Sequence, residues 1–371
     1  MEINESKYWI LVDQFPKFGP AAFKKLADYF SSMEKAYKSG REDLVKAGIK
    51  ESTASEFIDF RKRLDEEKIW RLLEKEKIKT VKITDKNYPE LLSQIYDPPP
   101  LLYWKGEDIA RLNKEPALAV VGSRKYSAYG KQVTDSLIPE IANNKITVIS
   151  GMALGIDSLA HYNTLKAGGK TVAILGSGLD EYNIYPPQNR GLMKKIIETG
   201  GTVISEFPPG TPPTKYTFPQ RNRVVSGLSL GVLVVEAAKR SGALITAEFA
   251  SDQGREIFAI PGNIYSPVSR GTNDLIKKGA HMITEAGDVM EILGIDPVAN
   301  KETGSLFDNT PLSETEKRII KILSFEPVSL DDIIKNSRLD TSTVNSTLSI
   351  LEIKGIIKDT GNKKYILNDI K

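Results

Sequence analysis

Between residues 118 and 293, short runs of apolar residues alternate with longer segments in which apolar positions recur at helical spacing. The apolar runs are nearly continuous, as expected for strands that are buried on both faces of a sheet. Alternation of this kind predicts an α/β fold with a doubly wound, mostly parallel sheet. We predict strands near Leu118–Val121, Thr147–Ile149, Thr171–Leu175, Thr202–Ser205, Gly231–Val235, Glu256–Ile260 and His281–Thr284.

The pattern changes on both sides of this region and divides the chain into four segments. Residues 1–66 predict short helices with Gly-containing turns, which are typical of a SAM-like or helix-hairpin-helix module. Residues 67–295 hold the sheet, preceded by a helix, a short strand and a proline-bounded connector that we interpret as an extension docked on the sheet domain. Residues 296–311 are polar and predict a linker. Residues 312–371 predict three helices and a β-hairpin, the pattern of a winged-helix domain.

Composition excludes several kinds of site. The chain has no cysteine and only two histidines, so disulfides, thiolate metal sites, a cysteine nucleophile and a histidine-rich metal site are excluded. We expect no metal ion and no cofactor. No apolar run approaches the ~18 residues of a membrane span, and the N-terminus lacks the basic region of a signal peptide. We therefore expect a soluble, cytoplasmic protein without a membrane span.

The charge is nearly balanced, with 51 basic and 48 acidic residues. Residues 67–295 carry 28 basic and 24 acidic side chains, whereas residues 312–371 carry 10 and 9. Any nucleic-acid site must therefore be a local patch, and the middle segment is the best candidate. The third predicted helix of the C-terminal segment offers Ser, Thr and Asn but no arginine, which favours a protein contact or weak DNA binding over sequence-specific readout.

The stretch 205–229 concentrates the chemistry of a site for a single nucleic-acid strand. Prolines keep its first half extended, and Lys215, Phe218, Arg221 and Arg223 then follow within nine residues. Three cations around an aromatic face can hold a phosphate backbone with a stacked base. The alternatives are a surface loop with solvated charges, or an aromatic side chain that anchors the loop in the core.

Small, hydroxyl and basic residues also follow several predicted strands. They include Gly122, Ser123 and Arg124 after the first strand, Ser150 and Gly151 at the second, and Ser241 and Gly242 after the fifth. Glycine lets the backbone approach a ligand, and the N–H groups of such turns can hold an anion. Because the carboxyl ends of parallel strands share one edge of the sheet, several such turns indicate an extended anionic ligand.

Asp157 and His161 lie four residues apart on the helix predicted after the second strand, so their side chains can face each other. They form either a catalytic or metal-binding pair, or a structural hydrogen bond that orients the preceding turn. We favour the structural pair because no third ligand or nucleophile is evident, and we assign no catalytic residue. Glu236 ends the fifth strand, where it can act as an acid, orient Arg223 or cap the next helix.

Taken together, the motifs of the middle segment resemble those of the DNA-processing protein A family, also called DprA or Smf. They match in order and spacing over Leu118 to Leu293. The motifs are GSR at 122–124, SGMALGIDSLAH at 150–161, YPPQN at 185–189, FPQRNRVVSGLS at 218–229, VVEA at 234–237, SGALITA at 241–247 and PGN at 261–263. The helical and winged-helix segments fit the three-part form of this family.

The resemblance implies an extended Rossmann-like domain in a single-stranded DNA-binding protein of natural transformation. Such proteins protect incoming strands and help to load the recombinase RecA, so single-stranded DNA, RecA and a second copy of the chain are the expected partners. The family's basic pocket carries over to Arg124, Lys170, Lys215, Phe218 and Arg221 to Arg223. With the strand-exit turns, the expected DNA-binding residues are Gly122, Ser123, Arg124, Ser150, Gly151, Lys170, Lys215, Phe218, Arg221, Asn222, Arg223, Ser241 and Gly242.

Two other functions compete with this one. Nucleotide phosphoribohydrolases have a related Rossmann-like sheet, so a nucleotide-binding or nucleotide-hydrolysing enzyme is the main alternative. Their PGG-x-GT turn is missing from this chain. A transcription regulator that uses the winged helix is the second alternative, and the near-neutral charge of that segment weighs against it. The surface that would contact RecA has no motif that we identify.

Overall fold

The computed structural model describes residues 3–297, 312–323, 327–361 and 363–367. The chain divides into two compact units, Met1–Val298 and Ala299–Lys371. Most of the linker predicted at 296–311 lies outside the described residues, because that range is described only up to residue 297. No described helix is both long and apolar enough to cross a membrane.

The first unit begins with short helices that pack around aromatic side chains. Their bounds are α1 Ile3–Asp13, α2 Pro20–Tyr29, α3 Met33–Lys38, α4 Arg41–Lys46 and α5 Glu51–Arg63. Pro20 starts α2, at a position where its missing N–H would have no partner in the helix. The Phe18 and Phe57 rings lie 4.7 Å apart. The same core includes Tyr103 and Leu175 from the sheet, so these helices are packed directly on the sheet.

The sheet strands are β1 Lys79–Lys82, β2 Leu101–Gly106, β3 Ala117–Val121, β4 Thr147–Ser150, β5 Thr171–Leu175, β6 Thr202–Ser205, β7 Gly231–Val234, β8 Glu256–Ala259 and β9 His281–Met282. Within residues 3–297 they form one sheet in the order β1-β2-β6-β5-β4-β3-β7-β8-β9. From β6 to β9 all neighbours pair in parallel. The prediction of a mostly parallel, doubly wound sheet is therefore confirmed.

Helices cover both faces of the sheet. Their bounds are α6 Glu66–Lys75, α7 Glu90–Ser93, α8 Ala128–Asn143, α9 Ile156–Lys166, α10 Arg190–Glu198, α11 Thr217–Gly227, α12 Gly242–Asp252, α13 Arg270–Lys277 and α14 Ala286–Leu293. Alternate residues of a strand point to opposite faces. Accordingly Ala119 packs in the layer that holds α11 and α12, whereas Leu118 and Val120 pack in the layer that holds α8 and α9.

The two antiparallel strands at one edge show where the sequence interpretation was incomplete. The sequence predicts that residues 101–104 belong to an extension docked on the sheet, but residues 101–106 form strand β2 of the sheet itself, which pairs with β6 and places Tyr103 opposite Ser205. Its residues 101–104 are buried. The helices of residues 3–63 cover the outer face of β2, so both faces of the strand are buried. The run Leu-Leu-Tyr-Trp accordingly lacks the apolar–polar alternation of a half-exposed strand.

The order of the strands reverses at β3. The chain proceeds from β3 through β4 and β5 to β6 on one side, then returns to place β7 on the other side of β3. In an open parallel sheet, such a reversal leaves a crevice beyond the carboxyl ends of the two central strands, where ligands bind. The crevice of this sheet lies between the turns that follow Val121 and Val234.

The second unit is a small winged-helix domain, as predicted. Its described elements are α15 Glu314–Ile320, β10 Val328–Ser329, α16 Leu330–Ser337, α17 Thr341–Ile353, β11 Ile357–Gly361 and β12 Lys364–Leu367. Ser313 and Glu316 form a capping box at the start of α15. The three helices pack through Ile319, Ile333, Val344 and Leu348.

Candidate nucleic-acid interface

A cavity of about 800 Å³ occupies the crevice at the carboxyl edge of the sheet. The turns after β3, β4 and β7 contribute Gly122, Gly151 and Ala238 to its wall. The first turn of α11 and the start of α12 close the other side. Among the described residues that line the cavity, four are cations and one is a carboxylic acid: Arg124, Lys125, Lys215, Arg221 and Asp157. The cavity is therefore suited to an anion.

The floor of the cavity is built on Arg221. This side chain is 5% exposed and donates hydrogen bonds to the carbonyl oxygens of Gly151 and Ile174, at the ends of β4 and β5. Gly151 leaves room for it, since a Cβ atom there would lie 2.6 Å from the guanidinium nitrogens. Arg221 thus joins α11 to two strand ends and determines the depth of the cavity.

Asp157 holds the turn between β4 and α9. Its carboxylate accepts hydrogen bonds from the backbone N–H groups of Gly151 at 3.1 Å and Ala153 at 3.4 Å. Burial raises the pKa of Asp157, and the positive charge of Arg221 opposes that rise. Burial likewise lowers the pKa of Arg221 to about 10, with Asp157 opposing the change. The two charges therefore support each other beneath the cavity.

One wall carries aromatic rings beside exposed cations. Phe218 is partly buried, and its ring centre lies 5.5 Å from that of Tyr185 and 5.8 Å from the guanidinium carbon of Arg124. Lys215 is exposed on the segment just before α11. An aromatic ring in a cavity with two exposed cations is an arrangement that can hold a base and its flanking phosphates.

The first half of the stretch 205–229 lies outside any helix up to residue 216, whereas Phe218 lies in the first turn of α11, which begins at Thr217. Pro219 is tolerated there because the first N–H groups of a helix have no partner within the helix. The backbone of Phe218 is consequently held by a helix, and its ring packs over Gly176, where a Cβ atom would lie 2.9 Å from the ring.

The start of α12 forms the opposite rim. Ser241 caps the helix by accepting a hydrogen bond from the backbone N–H of Ala243, and Gly242 opens it. Asn222 donates to the carbonyl oxygen of Gly242 at 3.3 Å, which ties α11 to α12 across the cavity. The positive end of the α12 dipole is directed at the same space and favours an anion.

Ten of the thirteen expected DNA-binding residues line this cavity, and three do not. Lys170 precedes β5, at the amino edge of the sheet, and pairs with Glu115 at 2.6 Å. Ser150 is buried and its hydroxyl donates to the carbonyl oxygen of Val120. Arg223 is turned away from the cavity, because it lies two residues after Arg221 on the same helix, where side chains point to different sides.

Arg223 joins segments on the far side of α11. It forms an ion pair with the buried Glu206, a second one with Asp97 at 3.2 Å, and donates to the carbonyl oxygen of Asp97 at 2.8 Å. Its side chain is 4% exposed. These contacts hold the proline-bounded connector against α11, so Arg223 has a structural role.

Asp157 and His161 do not bond to each other. The Nδ1 atom of His161 lies 2.7 Å from the hydroxyl of Thr171, which itself donates to the carbonyl oxygen of Val148, so Nδ1 carries the proton. Burial lowers the pKa of His161 to about 3, and the ring is neutral at pH 7. Both residues therefore serve the fold at the base of the site.

Glu236 caps a helix, but not the helix expected. It accepts hydrogen bonds from the backbone N–H and the hydroxyl of Ser127, the residue that precedes α8. Gly130 in the first turn of α8 makes room for it, since a Cβ atom there would lie 2.3 Å from the carboxylate. The carboxylate thus fixes the start of α8 beside β7, and it neither orients Arg223 nor caps α12.

The sequence interpretation missed Lys125 and Tyr185 as lining residues. Lys125 directly follows the GSR motif, so its position next to Arg124 was a usable signal. Tyr185 belongs to the YPPQN motif, and nothing in the sequence assigns a role to its aromatic ring. Its contact with Phe218 depends on how the segment after β5 folds back, which no local pattern reveals.

Comparison with known proteins places this site in a family context. Residues 79–294 match the family model described as DNA recombination-mediator protein A, and residues 307–361 match the DprA winged helix domain. The chain is 32% identical to a protein named Smf from Synechocystis, over 98% of this chain and 99% of that protein.

Two solved structures are also similar. DNA processing protein A from Streptococcus pneumoniae has a TM-score of 0.67 and 35% identity, over 77% of this chain and 97% of that one. DNA processing protein A from Helicobacter pylori, described as having a unique single-stranded DNA binding mode, has a TM-score of 0.53 and 31% identity. That match covers 60% of this chain and 97% of that one.

Proposed function

This chain belongs to the family of DNA recombination-mediator protein A, whose members are named DprA or Smf, and from that membership we propose that it binds single-stranded DNA as a DNA-processing protein of natural transformation. The binding site is the cavity at the carboxyl edge of the sheet. The observation that carries the proposal is the ring of Phe218, which lies 5.8 Å from the guanidinium carbon of Arg124 and lines the same cavity as Arg124 and Lys215.

The geometry favours a single strand over a duplex. A base can stack on Phe218 only if the flat face of that base is exposed. In a duplex the faces of each base are covered by the neighbouring base pairs. Phosphates on either side of the stacked base can reach Arg124 and Lys215, which are both exposed. Arg221 adds positive charge from below while its hydrogen bonds keep it in place.

The finer parts of the proposal rest on the family. We infer that the chain protects incoming strands, loads RecA on them, works as a homodimer and does so in the cytoplasm, where RecA acts on DNA. The rate of RecA filament growth on single-stranded DNA that is coated with single-strand-binding protein should rise when the chain is added. Equal rates with and without the chain would contradict the loading role and would leave DNA binding itself unaffected.

A nucleotide-hydrolysing enzyme has less support. Such an enzyme needs a carboxylate or histidine able to exchange protons at the substrate. Asp157 lines the cavity but is only 6% exposed, and its carboxylate accepts hydrogen bonds from two backbone N–H groups. Glu236 caps α8, and His161 is buried and neutral. We therefore expect no hydrolysis of nucleotides or of oligothymidylate. Turnover that is lost in His161→Ala while the melting temperature is kept would support the enzyme instead.

The proposal is tested by separating stacking from charge. Oligothymidylate affinity is measured by fluorescence anisotropy across a range of salt concentrations. Contact with three to five phosphates corresponds to a log–log slope of roughly −2 to −4 for a single strand. Phe218→Ala should weaken binding about tenfold or more and leave the slope nearly unchanged, since a stacked base contributes about 1–3 kcal/mol.

Arg124→Ala should weaken binding and also reduce the slope by about 0.7, because it removes one phosphate contact. Tyr96→Ala is the matched control, because that ring is fully exposed and is not among the lining residues. Melting temperatures are measured on all three variants. The stacking assignment is wrong if Phe218→Ala lowers affinity only in proportion to the protein that it unfolds, or if it changes the slope as Arg124→Ala does.

A further inference from the structure

A second cavity, of about 440 Å³, lies between α9 and α10. Tyr126, Leu154 and Tyr162 line it and are 41%, 42% and 54% exposed. Lys195 on α10 places its amino group 4.9 Å from the centre of the Tyr162 ring. Among the described residues that line this cavity there is one cation and no carboxylate. The surface is thus aromatic and positively charged.

This second cavity adjoins the cavity at the sheet edge. Residues that are adjacent in the chain line different cavities. Lys125 lines the first cavity and Tyr126 the second, and Ala153 lines the first and Leu154 the second. Consecutive Cα atoms are about 3.8 Å apart. The two cavities therefore meet along a shared wall.

The shared wall is thin and made largely of backbone. Gly155 has φ 95°, and a Cβ atom there would lie 2.2 Å from the carbonyl oxygen of Ser123. The N–H of Ile156 donates to that same oxygen at 3.1 Å. Arg124 lies on the shared wall, and its guanidinium group lines the first cavity. A nucleic-acid strand with one base stacked on Phe218 can cross the shared wall beside Arg124.

We propose that the second cavity is a continuation subsite for the same DNA strand. One base stacks on Tyr162, with Tyr126 and Leu154 alongside, and Lys195 holds an adjacent phosphate. Stacking on an aromatic side chain with a nearby cation is how proteins bind single strands without sequence preference. This inference rests on the proposed function, because it requires the strand to occupy the first cavity.

The second cavity is held in shape before any ligand binds. Asn189, just before α10, donates hydrogen bonds to the carbonyl oxygen of Met152 at 2.7 Å and to the hydroxyl of Ser158 at 2.8 Å. Ser158 in turn donates to the carbonyl oxygen of Ala153 at 2.6 Å. These bonds tie α10 to the turn that separates the cavities, so the strand meets a preformed path and not a gap that must open.

The test compares two lengths of oligothymidylate on the full chain. One of about 6 nucleotides occupies the first cavity alone, and one of about 20 nucleotides reaches both. Tyr162→Ala should weaken binding of the longer strand about fivefold or more and leave the shorter one unchanged. Lys195→Ala should lower the salt slope of the longer strand by about 0.7. Lys194→Ala is the matched control, since Lys194 directly precedes Lys195 on α10, is not among the lining residues and pairs with Glu198.

The outcomes separate this inference from the proposed function. If neither length binds the unmodified chain, the proposed function fails and this subsite fails with it. If the unmodified chain binds both lengths but Tyr162→Ala affects neither, or affects both equally, only the subsite is refuted. A photoreactive base at successive positions of the longer strand gives an independent reading on the unmodified chain. Crosslinks to Tyr126 or Tyr162 support the subsite, and crosslinks confined to the first cavity overturn it.

Discussion

Substitution of Arg221 tests whether this residue supports the fold of the cavity or binds phosphate directly. The sequence placed Arg221 with Arg124 among the cations that hold DNA. In the structure Arg221 is buried, donates to two strand-end carbonyl groups and faces Asp157, whereas Arg124 is exposed. Arg221→Ala should therefore destabilise the first unit, and Arg124→Ala should leave its stability nearly unchanged.

The expected loss in the free energy of unfolding follows from the buried groups that Arg221→Ala leaves without a partner. Removing one partner of a buried charge pair costs about 3–5 kcal/mol, because the other charge stays buried without compensation. Here that charge is Asp157, which would keep its backbone donors but lose the cation that opposes the rise of its pKa. The carbonyl groups of Gly151 and Ile174 would also lose a charged donor. For a unit of this size the melting temperature should fall by roughly 6–15 °C.

Calorimetry and salt-dependent binding of oligothymidylate test this prediction together. Binding is measured well below the melting transition of each variant, so that only folded protein is compared. Arg221→Lys serves as the conservative variant, and it should recover part of the stability because it keeps the charge but not the planar fork. The reasoning is refuted if Arg221→Ala melts like the unmodified chain and reduces the salt slope as Arg124→Ala does. In that case Arg221 binds phosphate and does not support the fold.

Three further outcomes are expected. Lys170→Ala should change oligothymidylate affinity less than twofold, since Lys170 lies at the opposite edge of the sheet and pairs with Glu115; a loss like that of Arg124→Ala would contradict the location of the site. Deleting residues 312–371 should leave most single-strand affinity in place, and a loss beyond tenfold, about 1.4 kcal/mol, would move the main site to the winged helix. Burial raises the pKa of the Asp13 carboxyl group to about 7, although the Tyr103 hydroxyl donates a hydrogen bond to it. The unfolded chain loses the carboxyl proton at a lower pH than the folded chain does, so the free energy of unfolding falls as pH rises from about 4 to about 7. Asp13→Asn should flatten that fall and add about 1–3 kcal/mol near pH 8, and an unchanged pH profile would show that the carboxyl group is not buried enough to matter.

The family resemblance drawn from the motifs is confirmed, and so are the fold class and the winged helix. Each depended on local patterns. Continuous apolar runs mark strands buried on both faces, and the glycines and hydroxyl residues that follow them mark turns where the backbone must approach another group. The carboxyl ends of parallel strands meet at one edge, so the residues after β3, β4 and β7 could be assigned to one site without coordinates.

Only the tertiary structure decided which cations face that site. Arg221 and Arg223 are two residues apart on one helix, yet one lies under the cavity and the other binds Glu206 and Asp97 on the far side. Lys170 joins Glu115 at the other edge of the sheet, and the second cavity appears only once α9 and α10 pack together. Sequence records the type and order of charges, but the direction of a side chain depends on partners distant along the chain, and those partners become neighbours only through folding.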